Sequence, residues 1–458
     1  MERLAIEKII KWNESTPRKP LIVYGARQVG KSYLIKDLFA ERYYKDNYIY
    51  IDLKKDKNIR DYILYGGNNK GSIVDAKEIV EYLSLLFEKN IDKNTLLIFD
   101  EVQECLPLIT SLKYFKQDLP EIPVIVSGSM VRIKIKREQA SNKQHKKEDF
   151  FFPVGGNVSF TLYPISFEEF LMNCNKMLYE KVKNAYLSKE PLHDSVHQMA
   201  MKALYDYLLV GGMPETVSSY LENKNILKSR ENNISIFGDY LSDMNLYQAS
   251  NESIIRSKII FENIYDQLDK ESKNFKSSLV SPGLKSRDIR SPKDWLTLAN
   301  IVYESKQVKE RVSFPLKADD ENNYRLYLFD NGLFTYQSRI NMANFLDRNA
   351  QNTLSGILFE NYIATELVSN GIPLFYWKGK NSSEFEFLVE CNNRIIPIDV
   401  KKGTGTLTSL KNYRAANKCD LAIKISKNNY GYDLTKAILT IPLYEAFMLI
   451  KDIKNNNL

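Results

Sequence analysis

Short apolar runs alternate with helical patterns over about the first 160 residues. The runs have the length of buried strands, and the segments between them repeat apolar residues three and four positions apart, as one face of a helix requires. Strands that alternate with helices favour a parallel sheet with right-handed crossovers. The pattern therefore predicts an α/β fold in this region, with strands at 21–24, 48–52, 96–99 and 123–126.

A glycine-rich octapeptide follows the first predicted strand and precedes a predicted helix at 32–39. It fits the P-loop pattern G-x-x-x-x-G-K-[ST], and its residues are Gly25, Ala26, Arg27, Gln28, Val29, Gly30, Lys31 and Ser32. In such a loop, successive backbone N–H groups point at a phosphate. Lys31 reaches the β- and γ-phosphates, and the hydroxyl of Ser32 ligates Mg²⁺. The octapeptide therefore predicts a P-loop NTPase that binds a nucleotide.

Polar residues at the ends of two later strands add candidate chemistry. Asp100 and Glu101 end the run at 96–99, and the carboxyl edge of a parallel sheet is where ligands bind. Asp100 is placed to hold Mg²⁺ through water, and Glu101 is placed to polarise an attacking water. Ser127, or Ser129 as the second choice, follows the run at 123–126 and is placed to contact the γ-phosphate or that water. The alternative for the two acids is that they only cap the next helix.

The nucleotide is predicted to be ATP. The segment at 417–420 matches the N-K-x-D guanine-binding motif of GTPases, but it lies far beyond the P-loop and follows a polar stretch instead of a strand. No D-x-x-G motif stands at the right place between them. ATP and Mg²⁺ are therefore the expected ligands.

Composition limits the class of protein. The chain has 458 residues, which suits three or four domains. No apolar run has the roughly 18–20 residues of a membrane span, the N-terminal segment is not a signal peptide, and the four cysteines form no C-x-x-C pair. We expect a cytoplasmic protein without a membrane partner. Much of the net charge of +7 lies at 132–148, where a solvated loop is favoured over contact with nucleic-acid phosphates.

Four domains are predicted along the chain. Residues 1–160 form the ATPase core and 161–250 form a helical lid, and Gly211 and Gly212 are expected to act as a hinge between the core and its lid. Residues 251–345 resemble a winged helix, because short helices precede strand-like pieces at 312–314 and 324–328. Residues 346–458 form a last α/β domain.

The last domain carries a possible metal site. Glu360 lies on a predicted helix, Glu386 on one strand, and Asp399 and Lys401 on the next strand. Asp399 and Lys401 share a face because side chains alternate along a strand. Two carboxylates on neighbouring strands with a nearby lysine can hold Mg²⁺ and position a hydrolytic water. The alternative is that these pairs arise by chance in a chain rich in lysine and glutamate.

Taken together, these segments resemble the prokaryotic AAA-type P-loop ATPases with a C-terminal domain of unknown function. The resemblance covers nearly the whole chain and rests on the segments at 24–32, 99–103, 127–129, 163–167, 211–214, 328–333 and 398–401. It implies an AAA-type core, a winged helix and a restriction-endonuclease-like fold, with ATP binding and hydrolysis. It implies little about biological role.

Two departures from the family pattern matter. Such proteins often have Gly-Arg where this chain has Gly155 and Gly156, so an arginine that contacts the γ-phosphate would have to be Arg132 or Arg137. The family also has an Asp on the first C-terminal strand and Glu-x-Lys on the second, whereas this chain has Glu386 and then Asp399 before Lys401. Each exchange moves a carboxylate by roughly 1.3–1.5 Å, and catalytic sites tolerate only about 0.5 Å, so a degenerate nuclease fold is favoured.

The resulting hypothesis is an ATPase switch that couples ATP binding to a protein partner or to nucleic acid. The alternatives are an ATP-gated, metal-dependent nuclease and an interaction scaffold whose ATP site is structural. The oligomeric state is left open.

Overall fold

The protein is described by a computed structural model, which covers residues 1–66, 71–129, 131–135, 155–247, 250–339, 351–380, 383–401 and 408–458. The chain divides into two compact units. Arg3–Tyr163 form the first unit, and Pro164–Leu458 together with Met1–Glu2 form the second. Within the described residues, none of the helices is both long enough and apolar enough to cross a membrane.

The first unit contains a five-stranded parallel sheet. Its strands have the order β2-β3-β4-β1-β5, and apolar residues of β1, β3 and β4 are buried along their whole length, as expected for strands covered on both faces. The predicted α/β fold of this region is confirmed. The strands are β1 (Leu21–Tyr24), β2 (Tyr48–Asp52), β3 (Leu96–Asp100), β4 (Val124–Gly128) and β5 (Val158–Thr161).

Helices connect these strands. The segment after the P-loop is a π-helix (Tyr33–Ala40) that continues as α2 (Glu41–Tyr43), and a 3₁₀ turn (Val102–Glu104) follows β3. The unit also contains the helices α1 (Ile6–Asn13), α3 (Lys57–Tyr65), α4 (Ala76–Leu86) and α5 (Leu106–Asp118).

The second unit begins with a series of helices. A capping box starts the first of them, because the Ser166 hydroxyl accepts from the Glu169 N–H and the Glu169 carboxylate accepts from the Ser166 N–H. The helices before the first strand are α6 (Phe167–Cys174), α7 (Lys176–Ser188), α8 (Asp194–Val210), α9 (Pro214–Asn223), α10 (Ile226–Tyr247), α11 (Asn251–Glu262), α12 (Ile264–Leu268), the 3₁₀ turn Ser277–Leu279 and α13 (Ser286–Leu298).

Two sheets follow in the same unit. The four-stranded sheet has the order β7-β6-β8-β9, and the five-stranded sheet has the order β10-β11-β12-β14-β13. The elements are β6 (Val302–Val308), β7 (Tyr324–Leu328), α14 (Asn331–Gln337), α15 (Gln351–Ser369), β8 (Phe375–Lys378), β9 (Glu384–Phe385), β10 (Phe387–Cys391), β11 (Arg394–Lys401), α16 (Thr408–Ala416), β12 (Ala422–Ser426), β13 (Gly431–Asp433), β14 (Ile438–Pro442), the 3₁₀ turn Leu443–Glu445 and α17 (Ala446–Lys454).

The four-stranded sheet crosses the domain boundary predicted at 345/346. β6 pairs in parallel with β8, while β7 and β9 pair antiparallel at the two edges. Strands from before and after the boundary therefore belong to one sheet.

The strand predicted at 312–314 is wrong. The strand that pairs with Tyr324–Leu328 is Val302–Val308 instead. Val312 lies in a loop, and its N–H donates to the side chain of Asn417 at 2.7 Å instead of to a neighbouring strand. This contact also gives Asn417, from the N-K-x-D match, a structural role.

The glycine pair predicted as a hinge is tightly packed. A Cβ on Gly211 would lie 2.5 Å from an oxygen of Asp330 and 2.6 Å from the backbone nitrogen of Gly332. A Cβ on Gly212 would lie 2.2 Å from the carbonyl oxygen of Ile165. The N–H of Gly212 donates to Asp330 at 2.6 Å. Glycine is therefore needed here because backbone segments pass close to one another.

Candidate functional site

The P-loop connects β1 to the π-helix, as its sequence predicted. Gly25 has a φ of +157°, and a Cβ at this position would lie 2.5 Å from the carbonyl oxygen of Leu162. Gly30 has a φ of +87°, which glycine adopts readily and other residues avoid. Glycine is thus needed at Gly25 because the backbone of Leu162 passes close to it, and at Gly30 because the backbone there has a positive φ.

Lys31 is buried within the loop. Its ammonium donates to the carbonyl oxygens of Ala26 at 2.8 Å and Gly25 at 3.2 Å. Burial lowers the pKa of Lys31, and the carboxylates of Glu101 and Asp100 oppose that effect. The ammonium of Lys31 is thus held beside the loop backbone, within the electrostatic influence of two carboxylates.

Asp100 is the centre of a hydrogen-bond network at the carboxyl edge of the sheet. Its Oδ2 accepts from the hydroxyls of Ser32 at 2.5 Å and Tyr50 at 2.8 Å. Its Oδ1 accepts from the hydroxyl of Ser127 at 2.5 Å and the N–H of Glu101 at 2.9 Å. These four hydrogen bonds fix the carboxylate in one orientation. Three predicted site residues are brought together here, because Ser32 and Ser127 both contact Asp100.

Glu101 has an unusual backbone conformation and a defined partner. Its φ is +53°, which is uncommon for a residue with a side chain. The side-chain amide of Gln103 donates to its carboxylate. A Cβ on Gly128 would lie 2.2 Å from the other amide atom of Gln103, so the glycine after Ser127 leaves room for this amide. The carboxylate of Glu101 is therefore oriented by the turn that follows β3.

Two arginines lie close to the P-loop. The guanidinium of Arg3 donates to the carbonyl oxygens of Val29 at 3.1 Å and Tyr163 at 2.8 Å. Arg132, one of the two arginines predicted to contact phosphate, lies 4.5 Å from the ring centroid of Tyr24 and donates to Thr161 at 3.0 Å. Arg137, like most of the basic segment at 132–148, lies outside the described residues.

The oxygen atoms of Ser32 and Asp100 are suitable ligands for Mg²⁺. Ser32 and Asp100 offer oxygen ligands of the hard type that Mg²⁺ prefers, and they already lie in contact. Mg²⁺ is commonly bound by one or two protein carboxylates, while substrate phosphates and water complete its coordination sphere. These residues therefore fit the predicted metal.

The four predicted C-terminal residues also come together, in the second unit. The Nζ of Lys401 lies 2.9 Å from Asp399 and 3.3 Å from Glu386, and the N–H of Val400 donates to Glu386 at 3.1 Å. Burial would raise the pKa of Glu386, but Lys273 and Lys401 outweigh it and lower the pKa to about 2. Burial and the charge of Glu386 raise the pKa of Asp399 to about 7. Glu360 joins the group through Lys273, at 2.7 Å.

This second group does not resemble a metal site. Among the described residues, no set of three or more His, Cys, Asp or Glu side chains is arranged to hold a metal ion. The carboxylates instead contact cationic side chains, namely Lys273, Arg325 and Lys401.

Sequence reasoning missed several residues at both sites. Tyr50 and Gln103 hold the two acids of the nucleotide site, and Lys273 and Arg325 neutralise the C-terminal carboxylates. Gln103 stands two residues after Glu101, within the segment at 99–103 that carries part of the family resemblance, so the sequence did contain a signal for it.

Three family models match separate parts of the chain. Residues 17–171 match a model described as an AAA domain, so the chain carries an AAA-type P-loop domain. Residues 201–344 match a domain of unknown function (DUF8612), and residues 355–445 match another (DUF4143). No curated protein matches the chain.

Proposed function

We propose that this protein is an ATPase that converts ATP and water to ADP and phosphate. The observation that supports this best is the contact between Ser32 of the P-loop and Asp100 at the edge of the sheet. It joins the two motifs that nucleotide hydrolysis needs, within a region that matches an AAA domain. Glu101 follows directly and supplies a candidate base.

Each residue has a distinct role in the proposal. The N–H groups of the P-loop and the ammonium of Lys31 bind the phosphates. Ser32 and Asp100 hold Mg²⁺, which neutralises charge that develops on the phosphates. Glu101, held by Gln103, orients and polarises the attacking water. Ser127 donates to Asp100 and keeps its carboxylate facing the P-loop.

The second unit is proposed to use the energy of ATP binding as a switch. In this proposal, residues 161–250 act as a helical lid, residues 251–345 as a winged helix and residues 346–458 as a degenerate restriction-endonuclease-like domain. The order of helices α11 to α13 before the antiparallel pair of β6 and β7 supports the winged helix. The partner is a protein or a nucleic acid.

Calorimetry with ATP and Mg²⁺ tests the binding site. Lys31→Ala should abolish ATP binding, because the loop loses the ammonium that faces the phosphates. Lys11→Ala removes an exposed lysine of α1 and should bind like the wild type. Affinity of Lys31→Ala within about threefold of the control would contradict the site assignment.

Turnover tests the proposed base. Glu101→Gln should bind ATP normally and hydrolyse it at least about 10²-fold more slowly, the scale expected for loss of a general base. Glu81→Gln, on the exposed face of α4, is the matched control. Unchanged turnover in Glu101→Gln would show that another group activates the water. Normal binding without turnover in the wild type would favour the interaction scaffold.

A further inference from the structure

A cluster of charged side chains lies where the chain passes from one sheet of the second unit to the other. β9 pairs with β8 in the four-stranded sheet, and β10 pairs with β11 in the five-stranded sheet. Glu386 is the single residue between β9 and β10. We call this group the seam cluster, and its members are Lys273, Arg325, Glu360, Glu384, Glu386, Asp399 and Lys401.

The ammonium of Lys273 lies among three carboxylates of the seam cluster. Its Nζ is 2.7 Å from Glu360, 3.3 Å from Glu384 and 3.7 Å from Glu386. Its side chain is only 19% exposed. Burial alone would lower the pKa of Lys273, but the three carboxylates outweigh it and raise the pKa. Lys273 therefore stays charged while largely removed from water.

Several other oxygens of the cluster also have hydrogen-bond partners. Arg325 is buried and donates to Glu384 at 2.6 Å and to Glu360 at 3.4 Å. The Tyr327 hydroxyl donates to Oε1 of Glu360 at 2.6 Å, so both oxygens of Glu360 are occupied. Oε2 of Glu386 accepts from the Val400 N–H. Unlike Asp100, whose hydrogen-bond donors are neutral, these carboxylates lie against cationic side chains that a metal ion would have to displace.

The charges nearly balance. Four carboxylates face the three cations Lys273, Arg325 and Lys401. With every group charged the local sum is −1, so the cluster has no need of a second positive charge from a divalent ion. The spacing also differs from a metal site, since Mg²⁺ binds oxygen at about 2.0–2.1 Å, whereas the carboxylates surround the Lys273 nitrogen at 2.7–3.7 Å.

We propose that the ammonium of Lys273 is the resident cation of the seam cluster and takes the place that a divalent metal would need. The C-terminal carboxylates then bind no Mg²⁺ and support no metal-dependent cleavage. They fix the segment before Ser277–Leu279 to the junction of the two sheets. Removal of the ammonium leaves an excess of negative charge in the same space and opens a divalent-cation site.

Titration of the nucleotide-free full chain with Mn²⁺, with free Mn²⁺ counted by electron paramagnetic resonance, tests this inference. All proteins carry Asp100→Asn, so that the proposed P-loop site does not contribute. Lys273→Met should bind one Mn²⁺ at least about tenfold more tightly than the parent, because charges about 4 Å apart interact strongly within a protein. Lys276→Met, an exposed lysine three residues away, should behave like the parent.

Further variants assign the ion to the cluster. The added Mn²⁺ site should disappear in Lys273→Met with Glu386→Gln, and Lys273→Arg should not gain it. Failure of a folded Lys273→Met to gain Mn²⁺ affinity would overturn the proposal. So would a Mn²⁺ site in the parent that Glu386→Gln removes, and this measurement decides the question even if Lys273→Met does not fold.

Plasmid DNA gives a second readout. The wild type should not cleave it with Mg²⁺ or Mn²⁺, with or without ATP. Cleavage that persists in Lys31→Ala and is lost in Asp399→Ala would overturn the proposal. None of these outcomes depends on ATP hydrolysis, so failure here is distinguishable from failure of the proposed ATPase function.

Discussion

Substitution of Gly211 by alanine should strongly destabilise the second unit. Gly211 ends α8 with a φ of +81° and a ψ of −168°, a region that residues with a side chain almost never adopt. The added methyl would also lie 2.5 Å from Asp330 and 2.6 and 2.8 Å from backbone atoms of Gly332. Gly332 is itself closely packed, because a Cβ built on it would lie 2.4 Å from the carbonyl oxygen of Val210.

The two effects can be added. A residue forced into this backbone region costs about 1–3 kcal/mol, and overpacking of a buried contact costs about 1–3 kcal/mol. The free energy of unfolding should therefore fall by about 2–6 kcal/mol. Gly238→Ala is the matched control, since Gly238 lies within α10 and a Cβ there meets nothing within 4 Å. It should stabilise the unit by about 0.5–1 kcal/mol.

Urea denaturation followed by tryptophan fluorescence measures both changes. Trp295 and Trp377 belong to the second unit and Trp12 to the first, so all proteins carry Trp12→Phe to make the signal specific. A free energy of unfolding for Gly211→Ala within about 0.5 kcal/mol of the parent would refute the reasoning, since surface substitutions alone have effects of that size.

Three further predictions concern single side chains. Tyr50→Phe removes one of four donors to Asp100, so half-maximal ATP turnover should need roughly tenfold more Mg²⁺, since a hydrogen bond to a charged group contributes about 1.5–3 kcal/mol. Gln103→Ala releases the Glu101 carboxylate and should lower kcat by roughly tenfold while calorimetry shows unchanged ATP affinity. Burial raises the pKa of Glu445 from its ordinary 4.5 to about 8, so folding takes up a proton and the free energy of unfolding falls as pH rises between these values. In Glu445→Gln the free energy of unfolding should decrease less between pH 5 and pH 9 than in the wild type. Urea midpoints that are the same for variant and wild type at both pH values would contradict this prediction.

The sequence was sufficient to place residues of the nucleotide site where a motif directly follows a predicted strand. Asp100 could be placed at the carboxyl edge of the sheet because an apolar run ends there. Tyr50 could not be assigned to it, because the pairing of β2 with β3 depends on a strand order that no local pattern encodes. The hydroxyl of Tyr50 reaches Asp100 only through that pairing.

The second unit was harder to predict for a different reason. β6 contains polar residues, so its sequence does not have the apolar pattern of a buried strand. One of them, Glu304, accepts a hydrogen bond from Lys293 of α13, a contact that the sequence pattern cannot indicate. Lys273 gave no signal at all, since it is one of 64 Lys and Arg residues and lies outside any helix or strand. Charged residues that neutralise one another across distant segments carry no periodicity, so only the folded structure brings them together.

The parallel pairing of β6 with β8 has a consequence for how the chain is made. β6 is synthesised well before β8, and until β8 leaves the ribosome one edge of β6 has unpaired N–H and C=O groups. Closing such a contact between distant segments is slow, because the entropy of the intervening chain is lost before the pairing stabilises it. The nascent second unit therefore has a period in which an exposed strand edge favours aggregation or capture by chaperones. The first unit contains a similar delay, because the neighbours of β1 in its sheet are β4 and β5, which are synthesised after the other strands described in that sheet.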